Sequence, residues 1–319
     1  QQVSSAASDV YKRQENDIPT GKASFFSDPE SAYSFLDNCE YPIVLKADGL
    51  AAGKGVLVSK NVKEAKEWVD SVMNNSLFGV AGENILIEEC LYGTELSFMG
   101  VMTPSEFIPF ETSVDYKPLL NRNKGPNTGG MGCISPSPFM NDVLREKIIK
   151  KVVQPTIDGL NKMGVSYYGF MYFGLMVKDD NPQVLEFNCR LGDPETQCLM
   201  MQMDSDLVEC LEDALNNKKV SISWKQGSSM GVVIASSGYP EKYKTKLPIK
   251  IGNLDKLKLF HAGTEIVEKE LLTSGGRVFS LNYHASNLED CMSYIYNRID
   301  EIEFDGTIYR TDIGKIYES

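Results

Sequence analysis

Between residues 28 and 87 the apolar positions alternate between helical and strand spacing. Asp28-Pro29 followed by Ala32, Phe35 and Leu36 predicts a short helix, with Asp28 as N-cap and Pro29 in the first turn. Ile43 to Ala47 and Val56 to Ser59 are short β-rich runs on either side of the segment DGLAAGKG. Asn61 is placed to cap the next helix, Glu64 stands where a capping-box partner would, and Val62, Ala65, Trp68, Val69, Val72 and Met73 form its apolar stripe. Ile85 to Ile87 adds a strand. The result is an α-β-loop-β-α-β unit small enough to pivot as a lid.

From Thr94 the chain turns β-rich (ELSFMGVM, then FIPFETSV), and a loop is predicted from Lys117 to Gly132. A helix follows from about Asp142 to Met163, bent or interrupted at Pro155. Strands Tyr168–Val177 and Val184–Phe187 flank the turn DDNP, and Leu207 to Leu215 reads as helix. Around Ser221 the pattern changes to short strands and turns (MGVVIASSG, KLFHAGTEIV, GGRVFSLNYH), with a last helix starting near Asn287. This predicts an α+β chain with a domain boundary near residue 220. Residues 1–14 are polar, lack a sustained period, and are read as a non-native, disordered tail.

Composition narrows the classes. The chain has 319 residues and 42% apolar content, enough for two or three compact units. A net charge of −12 argues against nucleic-acid binding as its main task, though not against a local phosphate pocket. The seven cysteines are scattered with no C-x-x-C pair, which suits reduced thiols better than a disulfide framework or a zinc site. The longest apolar run, Tyr167 to Val177, contains glycines and is too short to span a membrane. With no charged-then-apolar leader, the expectation is a soluble, cytoplasmic monomer.

Lys46 ends a strand and is followed by Gly49, Gly53, Lys54 and Gly55 among small residues, before a second strand begins at Val56. Unobstructed backbone N–H groups and two ammonium groups suit a triphosphate. No Ser or Thr follows Lys54, so this is not a Walker A loop. A glycine-rich β-hairpin with solvated lysines is the alternative on this loop alone. Further on, Glu186 and Asn188 project from one face of the strand VLEFN, an oxygen pair suited to a hard cation on nucleotide phosphates. Arg190 follows at the same parity. RLGDPETQ then supplies a turn leading into a helix N-terminus, which attracts anions.

VLKADGLAAGKGV, ILIEECLYGTELSF, GPNTGGMG, YYGFMYFGLMV, VLEFNCRLGDPETQ, GVVIASSGYP, FHAGT and GGRV stand in the order found in the phosphoribosylamine–glycine ligases, and the chain resembles that family over roughly residues 15–319. The resemblance implies an ATP-grasp fold, in which two α+β subdomains clasp ATP, over residues 15–220: a lid-like part at about 15–92 and a central part at about 93–220. A small β-rich C-terminal domain would occupy 221–319. It implies ligation of glycine to 5-phosphoribosylamine through glycyl phosphate, with ATP and Mg²⁺ (or Mn²⁺). Lys46 and the loop Gly49 to Gly55 would hold the triphosphate. Glu88, Glu89 and Leu91 would face adenine, and Glu95 would take the ribose hydroxyls. Glu186 and Asn188 would bind the metal, and Arg190 would steady the transferring phosphoryl group. Asn127, Thr128, Gly129, Gly130 and Met131 would form part of the substrate loop. Asp193 and Glu195 are candidates for holding an ammonium or aiding proton loss.

The sequence departs from the family pattern at several points. Nothing corresponds to the family's N-terminal domain, so the chain is read as an N-terminally truncated member. Leu191 replaces a usual Phe. The family's Asp-His-Lys-Arg stretch appears as Asp115-Tyr116-Lys117-Pro118, and Asn123 replaces an acidic residue. Tyr168 to Val177 carries no extra metal carboxylate. His261 and His284 are read as structural. Two other readings stay open: another ATP-grasp carboxylate–amine ligase, and a non-catalytic nucleotide-binding remnant.

Overall fold

Local capping chemistry starts several helices where the sequence predicts. A computed structural model describes residues 6–49 and 55–316, and for residues 6–8 the backbone alone. Asp28 accepts from the Ser31 amide at 2.8 Å and Pro29 opens the helix Pro29–Leu36. Asn61 accepts from the Glu64 amide, starting the helix Val62–Val69. The Glu64 carboxylate reaches back to the Lys60 amide and the Ser59 hydroxyl, one residue beyond the expected capping-box donor.

The chain divides into two units. The first comprises 1–94, 141–166 and 174–187, so the lid-like segment is joined by two later stretches. Its antiparallel sheet has the order Ala23–Phe26, Ile85–Glu89, Ile43–Ala47, Val56–Ser59. Alternation turns Ile43, Leu45, Ala47, Ile85 and Ile87 toward Ala32, Leu36, Ala65 and Val69 of the two helices. The opposite face carries Lys46, Leu86 and Glu88.

Residues expected to be a disordered tail are instead folded from Ala6: Ala6–Glu15 is a helix. Val10 is 3% exposed and packs with Leu86, and Arg13 is 1% exposed. The Arg13 guanidinium donates to the Val184 carbonyl at 2.8 Å and the Thr20 hydroxyl at 2.6 Å, and pairs with Asp9. Among the described side chains of this helix only Val10 and Arg13 are buried, which leaves little apolar period for a sequence reading to detect.

The predicted helix 142–163 is present but interrupted. Asp142–Ile148 and Gln154–Lys162 are α-helical, and a π turn, Ile149–Val153, separates them just before Pro155. Proline cannot donate to the carbonyl four residues back and clashes with it, so the turn widens there.

The second unit comprises 95–140, 167–173 and 188–319. Its main sheet runs Lys258–His261, Arg277–Ala285, Ser228–Ser236, Gly132–Ser135, Val114–Asp115, with Thr307–Ile308 also on Ser228–Ser236. Strands from both sides of residue 220 therefore share one hydrogen-bonded sheet. The helix Leu288–Tyr296, capped by Asn287, buries Cys291 and Ile295 against Met230, Val232 and Leu281. A second core gathers Met99, Val101, Ile108, Phe110, Tyr172 and Leu199. Within the predicted loop 117–132 the strands Pro118–Leu120 and Lys124–Asn127 form a hairpin, turned by Arg122 and Asn123 at positive φ. Buried Arg310 donates to the Pro118 carbonyl and the Asn123 side chain, so two of the departures from the family pattern, Pro118 and Asn123, lie where that arginine anchors the hairpin. Among the described residues, no helix is long and apolar enough to cross a membrane.

Candidate active site

Lys46 and Glu88 occupy diagonal positions on neighbouring strands, since Lys46 registers with Leu86 and Val44 with Glu88. Their charged ends form an ion pair on the face away from the helices Pro29–Leu36 and Val62–Val69, the face on which Val10 of the first helix packs, with Lys46 still 21% exposed. The ends of the following loop are fixed by Ala47 N–H to the Gly55 carbonyl at 2.8 Å and Asp48 N–H to the Asn84 carbonyl at 2.9 Å. A Cβ on Gly49 would lie 2.6 Å from that of Ala81, so this glycine is required by a close approach as much as by any ligand. Gly53 and Lys54 lie outside the described residues.

Glu89 spends its backbone and carboxylate on Lys22: its N–H donates to the Lys22 carbonyl, and its Oε2 accepts from the Lys22 N–H at 3.3 Å. Leu91 packs beside Gly21. Glu186 is exposed on the strand Asn181–Asn188. Behind that strand, Arg13 bonds the carbonyls of Val184 and Leu185 and lies over the Phe187 ring. Excluding residues 1–14 as a tail hid this support.

In the second unit, Glu95 is held by the Lys117 ammonium at 3.2 Å, and the same ammonium lies 3.3 Å from Asp115. Burial works against the charge on Lys117, yet Asp115 and Glu95 outweigh it and hold its pKa well above the ordinary lysine value. Burial raises the Asp115 pKa well above its usual range; Lys117 opposes this, and the nearby Glu195 and Glu95 carboxylates add to it. Glu195 is 2% exposed and accepts from Ser97, so it serves inside the protein and not at an open site. Asn188 is half-buried. Arg190 is exposed, with one guanidinium nitrogen on the Leu191 carbonyl.

The segment 127–131, expected to form part of a substrate loop, is anchored by hydrogen bonds. Thr128 donates by N–H and hydroxyl to the Lys117 carbonyl, and the Gly130 N–H donates to the Thr128 hydroxyl at 2.9 Å. Gly130 adopts φ +111°, and a Cβ there would meet Pro194 and Asp115. Asn127 is exposed at the hairpin end. Met131 is the exception to the predicted set, because its side chain is fully buried with Val233 and Ala235. Only its backbone can face a ligand. Asp193, predicted as catalytic, has both oxygens engaged: Oδ2 with Arg277 at 2.9 Å and Oδ1 with Gln197 at 2.9 Å. It acts in this structure as a holding group. The two histidines lie in the C-terminal strands; His261 bonds Thr264 and packs on Phe279, and burial lowers the His284 pKa.

Solved structures of low identity share the fold: the biotin carboxylase domain of Hydrogenobacter thermophilus 2-oxoglutarate carboxylase superposes with a TM-score of 0.72 at 16% identity, over 96% of this chain and 67% of that one. The profile described as phosphoribosylglycinamide synthetase, ATP-grasp (A) domain, matches residues 8–196, and that of the synthetase C domain matches 229–316. The fold is thus that of the ATP-grasp enzymes. A phosphoribosylamine–glycine ligase from Salmonella typhimurium is 42% identical over 305 residues, 93% of this chain and 71% of the relative. That of Caldanaerobacter subterraneus is 38% identical over 94% of this chain and 73% of its own length. The Thermotoga maritima phosphoribosylamine–glycine ligase structure superposes with a TM-score of 0.90 at 31% identity, covering 98% of this chain and 78% of that one. The chain belongs to the phosphoribosylamine–glycine ligase family, whose members are ligases forming a C–N bond.

Proposed function

We propose that the chain joins glycine to 5-phosphoribosylamine through glycyl phosphate, at the expense of ATP. A carboxylate oxygen of glycine bonds to the γ-phosphorus while the bond to the β-bridging oxygen breaks and ADP leaves. The amine nitrogen then attacks the carbonyl carbon, the C–O bond to phosphate breaks, and the nitrogen gives up a proton. Alignment and charge neutralisation supply most of what such a reaction needs.

The reading is supported most by Lys46, a lysine oriented by Glu88 at the mouth of a glycine-rich turn. It neutralises phosphate charge, with Gly49, Lys54 and Gly55 around the triphosphate. Glu88, Glu89 and Leu91 form the strand end for adenine. Glu95, steadied by Lys117, accepts from the ribose hydroxyls. Arg190 steadies the phosphoryl group in transfer, and Asn127 to Gly130 shape the substrate segment.

The residues present fit a divalent cation. Glu186 and Asn188 offer two oxygen donors two residues apart on one strand. Among the described residues no three His, Cys, Asp or Glu side chains gather into a metal site of their own, and nucleotide phosphates and water would supply the other ligands. Mg²⁺ or Mn²⁺, when bound, screens those phosphates.

The test is acyl-phosphate trapping. With Mg²⁺, ATP, glycine and hydroxylamine, the chain should form glycine hydroxamate in step with ADP. Hydroxamate formation that ignores glycine, or ADP release without it, would count against the ligase chemistry.

A further inference from the structure

Two motifs of the C-terminal region, GYP and GGRV, take no part in the reaction just described, and in the structure both converge on one residue, Gly129. The Gly129 N–H donates to the Tyr239 hydroxyl at 2.9 Å, and the Gly129 carbonyl accepts from Arg277 Nη1 at 2.6 Å. The same guanidinium reaches the Gly130 carbonyl at 3.4 Å, the Asp193 carbonyl at 2.8 Å and the Asp193 carboxylate at 2.9 Å. A side chain on Gly276 would collide with the Tyr239 ring, so the glycine before Arg277 makes room for the tyrosine. A Cβ on Gly129 would stand 2.9 Å from the Arg277 guanidinium carbon, so this side of the peptide must stay bare.

We propose that Tyr239 and Arg277 are positioning residues for ligation: a clamp that grips the backbone of Gly129 on both sides of its Cα, at the N–H and at the carbonyl, and fixes Asp193 beside it. The guanidinium's contacts go to protein acceptors, among them two loop carbonyls and one carboxylate, which argues against a role as a free anion-binding arginine. A fork of fixed N–H groups suits such multipoint holding, whereas a lysine has a single charge centre on a flexible stem. The C-terminal region thereby sets the place of the substrate segment Thr128–Gly130. This inference rests on the proposed ligase reaction for its kinetic consequence, but the clamp itself can be read without turnover.

The experiment uses the whole chain with Arg277→Ala, Arg277→Lys and Tyr239→Phe, singly, and Arg277→Ala combined with Tyr239→Phe. Hydrogen exchange by mass spectrometry reports on peptides covering 127–131 and, as an internal control, 228–236. Arg277→Ala should speed exchange in the loop peptide by about tenfold or more and leave the control strand unchanged. Glycine hydroxamate formation should then fall by about 10²-fold in kcat, with affinity for a non-hydrolysable Mg²⁺–ATP analogue within about twofold. Arg277→Lys should recover only part of the loss. Because both side chains hold one residue, the double variant should be little worse than Arg277→Ala alone. Unchanged loop exchange, or losses in the double variant that simply multiply, would overturn the clamp. If Arg277→Ala does not fold, Arg277→Lys and Tyr239→Phe give the same decision on a smaller scale. A loop that loosens as described in a chain that makes no hydroxamate supports the clamp and counts against the ligase reading alone.

Discussion

Asp115 and Lys117 stand two residues apart, their charged ends 3.3 Å from each other, and the same ammonium also serves Glu95 at 3.2 Å. One lysine thus answers to two carboxylates, with a third, Glu195, close enough to raise the Asp115 pKa. Burial holds the Asp115 proton above the ordinary carboxylate range. Its contribution to stability is therefore greatest at or below that range and falls as pH rises toward the folded value. The Lys117 contribution is complete below the ordinary lysine pKa and is lost only as pH climbs through its raised folded value. Lys117→Met should cost about 2 kcal/mol near neutral pH, because it leaves the carboxylates without their cation. Adding Asp115→Asn should recover much of that cost, as urea titrations of the two variants would show. An additive double variant would mean that the pair is not coupled.

Glu186→Gln keeps the shape of the side chain but removes its charge. Nucleotide affinity measured with Mg²⁺ should fall by about tenfold or more, while affinity measured in chelator should barely change. Calorimetry under both conditions decides the matter; equal losses would assign Glu186 to structure and not to the cation.

Lys46→Met should weaken a triphosphate more than the corresponding monophosphate, since the ammonium is proposed to act on the distal phosphates. Competition binding with ATP and AMP analogues gives the ratio. The unpaired Glu88 carboxylate adds a modest stability loss of about 1 kcal/mol, discounted because the pair is partly exposed.

Arg13→Leu should lower stability by about 2–3 kcal/mol, since it removes the guanidinium's bonds to the Val184 carbonyl and Thr20 hydroxyl, which keep only their bond to each other, and takes the arginine partner from Asp9. Removing residues 1–15 should do the same or more. Thermal melts that are unchanged in both variants would return the segment to the status of a passive tail.

Sequence alone determined the elements whose cause is local. Asp28, Asn61 and Asn287 accept from amides within the next three residues, so their helices could be read from a single line of sequence. The helix Leu207–Leu215 and the middle of the strand Asn181–Asn188, read as Val184–Phe187, followed from apolar spacing, whereas Asn181 and Pro182, read as turn, belong to the strand. Lys46, the strand end Glu186–Asn188 and the segment Asn127–Met131 stood out as candidates for a similar reason, as contiguous runs of unusual residue types. The rest depended on distance in space. Arg13 became a support for the Glu186 strand by crossing 171 positions to the Val184 carbonyl. Arg277 and Tyr239 reached Gly129 across 148 and 110 positions. Met131 reads as loop but packs as core, because the neighbouring strand turns Val233 and Ala235 toward it. A buried guanidinium or hydroxyl is placed by the acceptors that surround it, and no periodicity records where those acceptors will be. The tertiary structure therefore decided what holds these side chains in place, where the sequence by itself had determined only the candidates.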